Sequence, residues 1–209
     1  MWLFFLCMLI AFGIDRHLKT RTSPVASPTT MPAFVSLTND DDSYTYDLCY
    51  KSAWIAIRHE PVSSEYVGQW LITHHSLVKV LLFQSMQGWT ILSAEELPDL
   101  SEAGEQLPLF TMLQALSEEF GEVQYFASHR TVEYYAWVKY TDGILQRAYS
   151  YLWGTVMNEG AETSIEKLHL PHFMLEGELL PDEELVLTIA KDWSVLPEEL
   201  ILEATIQVS

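Results

Sequence analysis

The sequence predicts an α+β fold: an antiparallel sheet of about five to six strands packed with two main helices. Three observations carry that expectation. Leu109, Phe110, Leu113, Leu116 and Phe120 recur at spacings of three and four, which sets an apolar stripe along one side of a helix. From Val123 to Tyr151 the chain turns to alternating, aromatic-rich residues, the composition of paired strands. Within that stretch Asp142-Gly143 supplies the positive φ angles of a type I′ hairpin turn.

Taken in order, residues 2–14, WLFFLCMLIAFGI, form an uncharged run of thirteen, short of the roughly 20 that a membrane-spanning helix needs. Arg16, Lys19 and Arg21 follow this run rather than precede it, the reverse of a secretory signal, and would hold its C-terminal side in the cytoplasm if it inserts. Three readings of the leader, residues 1–19, stay open: a cytoplasm-facing anchor, a true start at Met31, or export. Residues 20–43, with Pro24, Pro28, Pro32 and many Ser, Thr and Asp, read as a linker, and 44–209 as a single domain.

Residues 53–58, AWIAIR, give the first strand. Ser63, Ser64 and Glu65 then open a short helix with Tyr66, Val67 and Trp70 facing inward. Strands follow at 79–83 and 89–93, joined through 84–88. The helix through Phe120 stops at Gly121, and the aromatic hairpin follows it. Periodicity fades over 153–180, apart from a helical turn at 164–168. Pro181, Asp182, Glu183 and Glu184 start a last helix, with acids where its dipole favours them and Leu185, Ile189 and Trp193 as its buried stripe.

A two-residue turn at Asp142-Gly143 pairs Thr141 with Ile144, Tyr140 with Leu145, Val138 with Arg147, Ala136 with Tyr149 and Tyr134 with Tyr151. One face then carries Tyr134, Ala136, Val138, Arg147, Tyr149 and Tyr151, and the other Glu133, Tyr135, Trp137, Lys139, Gln146, Ala148, Ser150 and Leu152. Both faces hold aromatics, so both are expected to be covered. A slip of one residue would exchange them, because strand side chains alternate with period two.

Charge narrows the classes of function. The chain has 29 acids against 11 bases, a net charge of −18. With three bases and one acid in the leader, residues 22–209 keep eight bases against 28 acids. Nucleic acid is disfavoured as a partner, since binding it requires Lys and Arg to neutralise phosphates. A basic protein partner, steered in by the opposite field, fits better. Cys7 and Cys49 lie in unlike segments, so neither a disulfide nor a cysteine metal site is expected.

Several segments, GWTILS, LSEEFGEVQYFASHRTVEYYAWVKY, the DG turn with LQRAYSYL, and PDEELVLTIAKDWSV, together resemble a widespread family of bacterial α+β proteins with no established activity. The resemblance runs over residues 53–197 and is most specific over 120–151. It implies a single α+β domain of the kind found among accessory genes. Family members carry a GE-rich stretch after the YSYL strand, where this chain has Trp153-Gly154-Thr155, and the leader lies outside the pattern.

Candidate chemistry is sparse. His129, Arg130 and Glu133 are close in sequence, and a histidine beside a carboxylate can act as a general base while arginine holds an anion. With Tyr135, Trp137, Arg147, Tyr149 and Tyr151 they make up the candidate binding residues. Arg147, on an aromatic face, is expected to stack or to pair with an acid. His74 and His75 are adjacent and diverge, and Pro171 separates His169 from His172, so no metal or cofactor is expected. Neither a nucleophile elbow nor a glycine-rich phosphate loop occurs.

The expected function is therefore an acidic binding protein that neutralises a basic partner, such as an immunity protein of a bacterial toxin system, in the cytoplasm or tethered to the inner membrane's cytoplasmic face. Two alternatives remain: a small hydrolase using His129, Arg130 and Glu133, and a membrane-tethered accessory or sensor domain.

Overall fold

An antiparallel sheet of eight strands separates two hydrophobic cores, each closed by helices. The structure, a computed structural model, describes residues 51–58, 63–75, 77, 79–84, 87–94, 97–101, 107–195 and 201–207. The leader, the linker, both cysteines, Pro61, the Glu95-Glu96 and Glu198-Glu199 pairs and Pro197 lie outside the described residues. Among the described residues no helix is long and apolar enough to cross a membrane.

Strand β1 (Lys51–Arg58) lies inside the sheet, between β3 (Trp89–Ala94) and β4 (Glu122–His129). On one side β2 (Lys79–Gln84) pairs with β3, and β10 (Ile201–Gln207) returns from the end of the chain to pair with β2. On the other side β4, β5 (Tyr134–Thr141), β6 (Ile144–Leu152) and β7 (Thr155–Gly160) form a meander. Two strands, β7 and β10, thus go beyond the five or six expected.

Helix α1 (Ser64–His75) begins where the Ser63 hydroxyl accepts the Tyr66 N–H at 3.3 Å. Its inward stripe is Val67 and Leu71, both fully buried. Tyr66 is a correction. It lies about 100° around the helix from Val67, is half exposed, and meets Phe120 only edge-on. Trp70 is partly buried against the same phenyl ring.

Helix α2 (Leu107–Phe120) buries Leu109, Met112, Leu113 and Leu116. It tolerates Pro108 because a first-turn residue needs no N–H partner. Gly121, at φ +100, ends it and donates to the Ser117 carbonyl at 2.9 Å. Together α1 and α2 cover the face formed by Ile55, Ile57, Val80, Leu82, Val123, Tyr125, Tyr134, Ala136 and Val138.

The opposite face is covered by α4 (Glu183–Trp193), preceded by α3 (Ser164–His169), a 3-10 turn (Leu170–Phe173) and a small hairpin of β8 (Met174–Leu175) and β9 (Glu178–Leu179). Asp182 caps α4 by accepting the Leu185 N–H at 3.0 Å, and Leu185, Ile189 and Trp193 are its buried stripe, as the sequence predicts. Leu170 precedes a proline yet keeps right-handed helical angles, so the chain runs directly from α3 into the 3-10 turn.

The type I′ turn forms, with Asp142 at φ 50 and Gly143 at φ 78. Thr141 pairs with Ile144 and Tyr140 with Leu145, but Lys139 pairs with Arg147. Gln146 is therefore an extra residue, a β-bulge. From there on the register moves by one: Trp137 faces Tyr149, Ala136 faces Ser150 and Tyr135 faces Tyr151. The expected pairs Val138–Arg147, Ala136–Tyr149 and Tyr134–Tyr151 do not form. Arg147, Tyr149 and Tyr151 join Tyr135 and Trp137 under α3 and α4, while Ala148 joins Tyr134 and Val138 under α2.

Candidate functional site

The bulge delivers Arg147 to the densest polar cluster in the described structure. Arg147 is 1% exposed, and its Nε donates at 2.7 Å to Oε1 of Glu166, which is fully buried on α3. Its Nη1 donates to the Ala148 carbonyl at 3.1 Å, to Asn158 Oδ1 at 2.7 Å and to the Glu159 carbonyl at 2.9 Å. The same Oε1 accepts the Trp137 indole N–H at 2.8 Å. Oε2 accepts both the N–H and the hydroxyl of Thr163, each at 2.8 Å. Glu166 thus closes the start of α3 and ties it to β5 and β6.

Aromatic packing roofs this cluster. Trp137 stacks on its cross-strand partner Tyr149, centroids 4.4 Å apart, and the Arg147 guanidinium carbon lies 5.8 Å from the Tyr149 ring. Both carboxylate oxygens are engaged and the pair is shielded from water, so its chemistry is that of a clamp: it fixes α3 on the sheet.

Of the expected binding residues, Trp137, Arg147 and Tyr149 are in this core and Tyr135 and Tyr151 are nearly so. In this conformation they give a partner little or no surface. His129 is at the end of β4, opposite Tyr134. Arg130 turns toward α4, its Nε 3.5 Å from Glu183 Oε2. Glu133, at φ 53 in the β4–β5 turn, is exposed. Among the described residues no hydrogen bond or ion pair joins His129 to Glu133. Arg147 pairs with Lys139, six residues beyond Glu133 and so about 20 Å away at 3.3 Å per residue. The structure therefore does not bring the expected polar group together.

At that end of the sheet carboxylates surround the tyrosine hydroxyls, with the Arg130 guanidinium among them. Burial raises the Tyr135 pKa, and the Asp182 and Glu133 carboxylates raise it further. Tyr151 is raised by burial and then by Glu133 and Glu178. Residues 153–184 hold eight acids and one base, Lys167. On the α2 face, by contrast, Tyr125 and Tyr134 form a buried hydroxyl pair at 3.4 Å, and Tyr134 accepts the Leu100 N–H at 2.8 Å. This second pair fastens the loop at 97–101 to the sheet.

Sequence reasoning missed Glu166. Its signal was present in Thr163-x-x-Glu166, the spacing of a capping box, and in an arginine on an aromatic face that needed an acid. Among the described residues no group of His, Cys, Asp and Glu could hold a metal ion. No protein-family model, curated protein or solved structure matches the chain, so the family likeness rests on the quoted motifs alone.

Proposed function

We propose that this protein is an acidic binding module that captures and neutralises a basic protein partner, as an immunity protein does for a cationic toxin. The observation that carries this reading is the charge: 29 acids against 11 bases, with eight of the acids and one of the bases within residues 153–184. Such a field speeds the encounter with cations and repels nucleic acid and anionic surfaces. Buried Arg147 and Glu166, the latter one of those eight acids, are consumed in holding α3, and Glu183 pairs with Arg130, so recognition falls to the remaining acids.

The test is co-purification with the tagged full chain from its native host at low salt. This is followed by titration of the purified chain with each recovered protein. The reading expects a basic protein that binds in a defined ratio and loses affinity steeply as salt rises. Recovery of neutral or acidic partners whose affinity ignores salt would overturn it.

A further inference from the structure

We infer that the outer edge of β7 takes up an extended cationic segment of the basic partner as a ninth strand of the sheet. The inference rests on the proposed function and gives it a location.

The sheet order ends at β7, which has β6 on one side and no strand on the other. Apart from that ladder, no backbone–backbone hydrogen bond among the described residues involves residues 155–160. Alternate residues of an antiparallel edge strand turn their N–H and C=O groups away from the neighbour, so β7 presents a row of open donors and acceptors. Lysine or proline commonly closes such an edge, and β7, TVMNEG, has neither. A bulge at Val156 leaves Met157 to Gly160 in regular register with β6.

The edge is also held in place from behind. Buried Arg147 donates through Nη1 to Asn158 Oδ1 at 2.7 Å and to the Glu159 carbonyl at 2.9 Å, which fixes β7 to the clamp before any partner arrives. A partner strand is then spared the cost of ordering the edge.

Side chains select the occupant. Glu159 is opposite Ala148 and Met157 is opposite Ser150, and Ala148 and Met157 both belong to the core under α2. Met157 and Glu159 are therefore neighbours on that face, the first at the rim of the core and the second exposed. An antiparallel strand laid beside them meets Glu159 with one residue and Met157 with the residue two further on, a pair that Lys or Arg followed by Val satisfies. Main-chain pairing supplies affinity and the two side chains supply preference. A second copy fits poorly: it joins two chains of net charge −18, and its β7 has no cation to set against Glu159 in any register.

The test uses the full chain and two labelled synthetic peptides of equal charge. One is Lys-Thr-Val-Thr-Lys-Thr-Val. The other is the same peptide N-methylated on two adjacent central residues, which removes a donor from each edge and leaves the side chains unchanged. Binding is followed by fluorescence anisotropy at low salt, and the contact is located by amide hydrogen exchange. The unmodified peptide should bind about tenfold more tightly than the N-methylated one, and exchange should slow over residues 155–160. Glu159→Lys should weaken binding about fivefold, since it turns a cross-strand attraction into repulsion. Glu119→Lys, the same charge change on an exposed acid of α2, should weaken it much less, and both variants should keep the wild-type urea midpoint.

If the two peptides bind alike, or protection appears on β10 or elsewhere and not at residues 155–160, or the two variants weaken binding equally, the location is wrong and the acidic-module reading stands. If neither peptide binds at low salt, both fail. Protection of residues 155–160 that grows with protein concentration without peptide, alongside a dimer in sedimentation, would give the edge to a second copy and overturn the proposal.

Discussion

Replacing Glu166 by alanine should be among the most damaging single changes on the described surface of the sheet. The substitution removes four accepted hydrogen bonds, from Arg147, Trp137 and twice from Thr163. It also strands a guanidinium that is 1% exposed. Breaking a buried ion pair by deleting one partner costs about 3–5 kcal/mol, a large share of the roughly 5–15 kcal/mol that holds a domain folded. With a urea slope of about 2 kcal/mol per molar, the unfolding midpoint should fall by about 2 M. Arg147→Met with Glu166→Leu leaves no charge stranded and should cost less than Glu166→Ala alone. Urea denaturation followed by circular dichroism of the wild type, Arg147→Met, Glu166→Leu and the double variant measures the four corners of that cycle, with Glu166→Ala alongside. A loss below about 1 kcal/mol for Glu166→Ala, or a double variant as unstable as the two single losses combined, would refute a desolvated clamp.

Other consequences follow from the turns and the tyrosines. At Gly160, φ +80, an added Cβ would collide with the Gln146 backbone carbonyl, whereas at Gly143 it would meet only the flexible Glu118 side chain. Gly160→Ala should therefore lower the melting temperature clearly more than Gly143→Ala, and equal losses would count against the bulge geometry. Trp153→Gly relieves a left-handed tryptophan whose ring is 70% exposed and should raise stability by about 0.5–1 kcal/mol in urea; a large loss of stability would mean that the indole packs inside. Tyr125 and Tyr134 both have pKa values raised by burial. The unfolded chain therefore releases these protons first, and the stability they provide is full below pH about 10 and declines above it. Tyr134→Phe should flatten that alkaline decline, and an unchanged slope in unfolding free energy against pH would contradict the assignment.

How much could be read in advance depended on whether a signal was local. The α2 stripe, the stop at Gly121, the Asp142-Gly143 turn and the acidic start of the last helix at Pro181–Glu184 each involve residues within a few positions of one another, and each formed. The bulge at Gln146 is different. A polar residue in an alternating strand gives no sign that it is an extra one, and this single insertion moved Arg147, Tyr149 and Tyr151 to the opposite face. Strand β7, TVMNEG, alternates too little, and the two-residue strands β8 and β9 are too short, to stand out from loop sequence. Glu166 was not singled out, because two of its partners, Trp137 and Arg147, come from β5 and β6, which only the tertiary fold brings near. Tyr66 was expected inward with Val67 and Trp70, although Val67 and Leu71 define the buried stripe.

The central claim, that the surplus of carboxylates recognises a cation-rich protein, is tested most directly by calorimetric titration of the intact chain with the basic protein recovered from its host, repeated as salt shortens the Debye length from about 10 Å at 0.1 M to about 3 Å at 1 M. A steep, monotonic loss of affinity with rising salt is expected. An affinity that stays level across that range would contradict it.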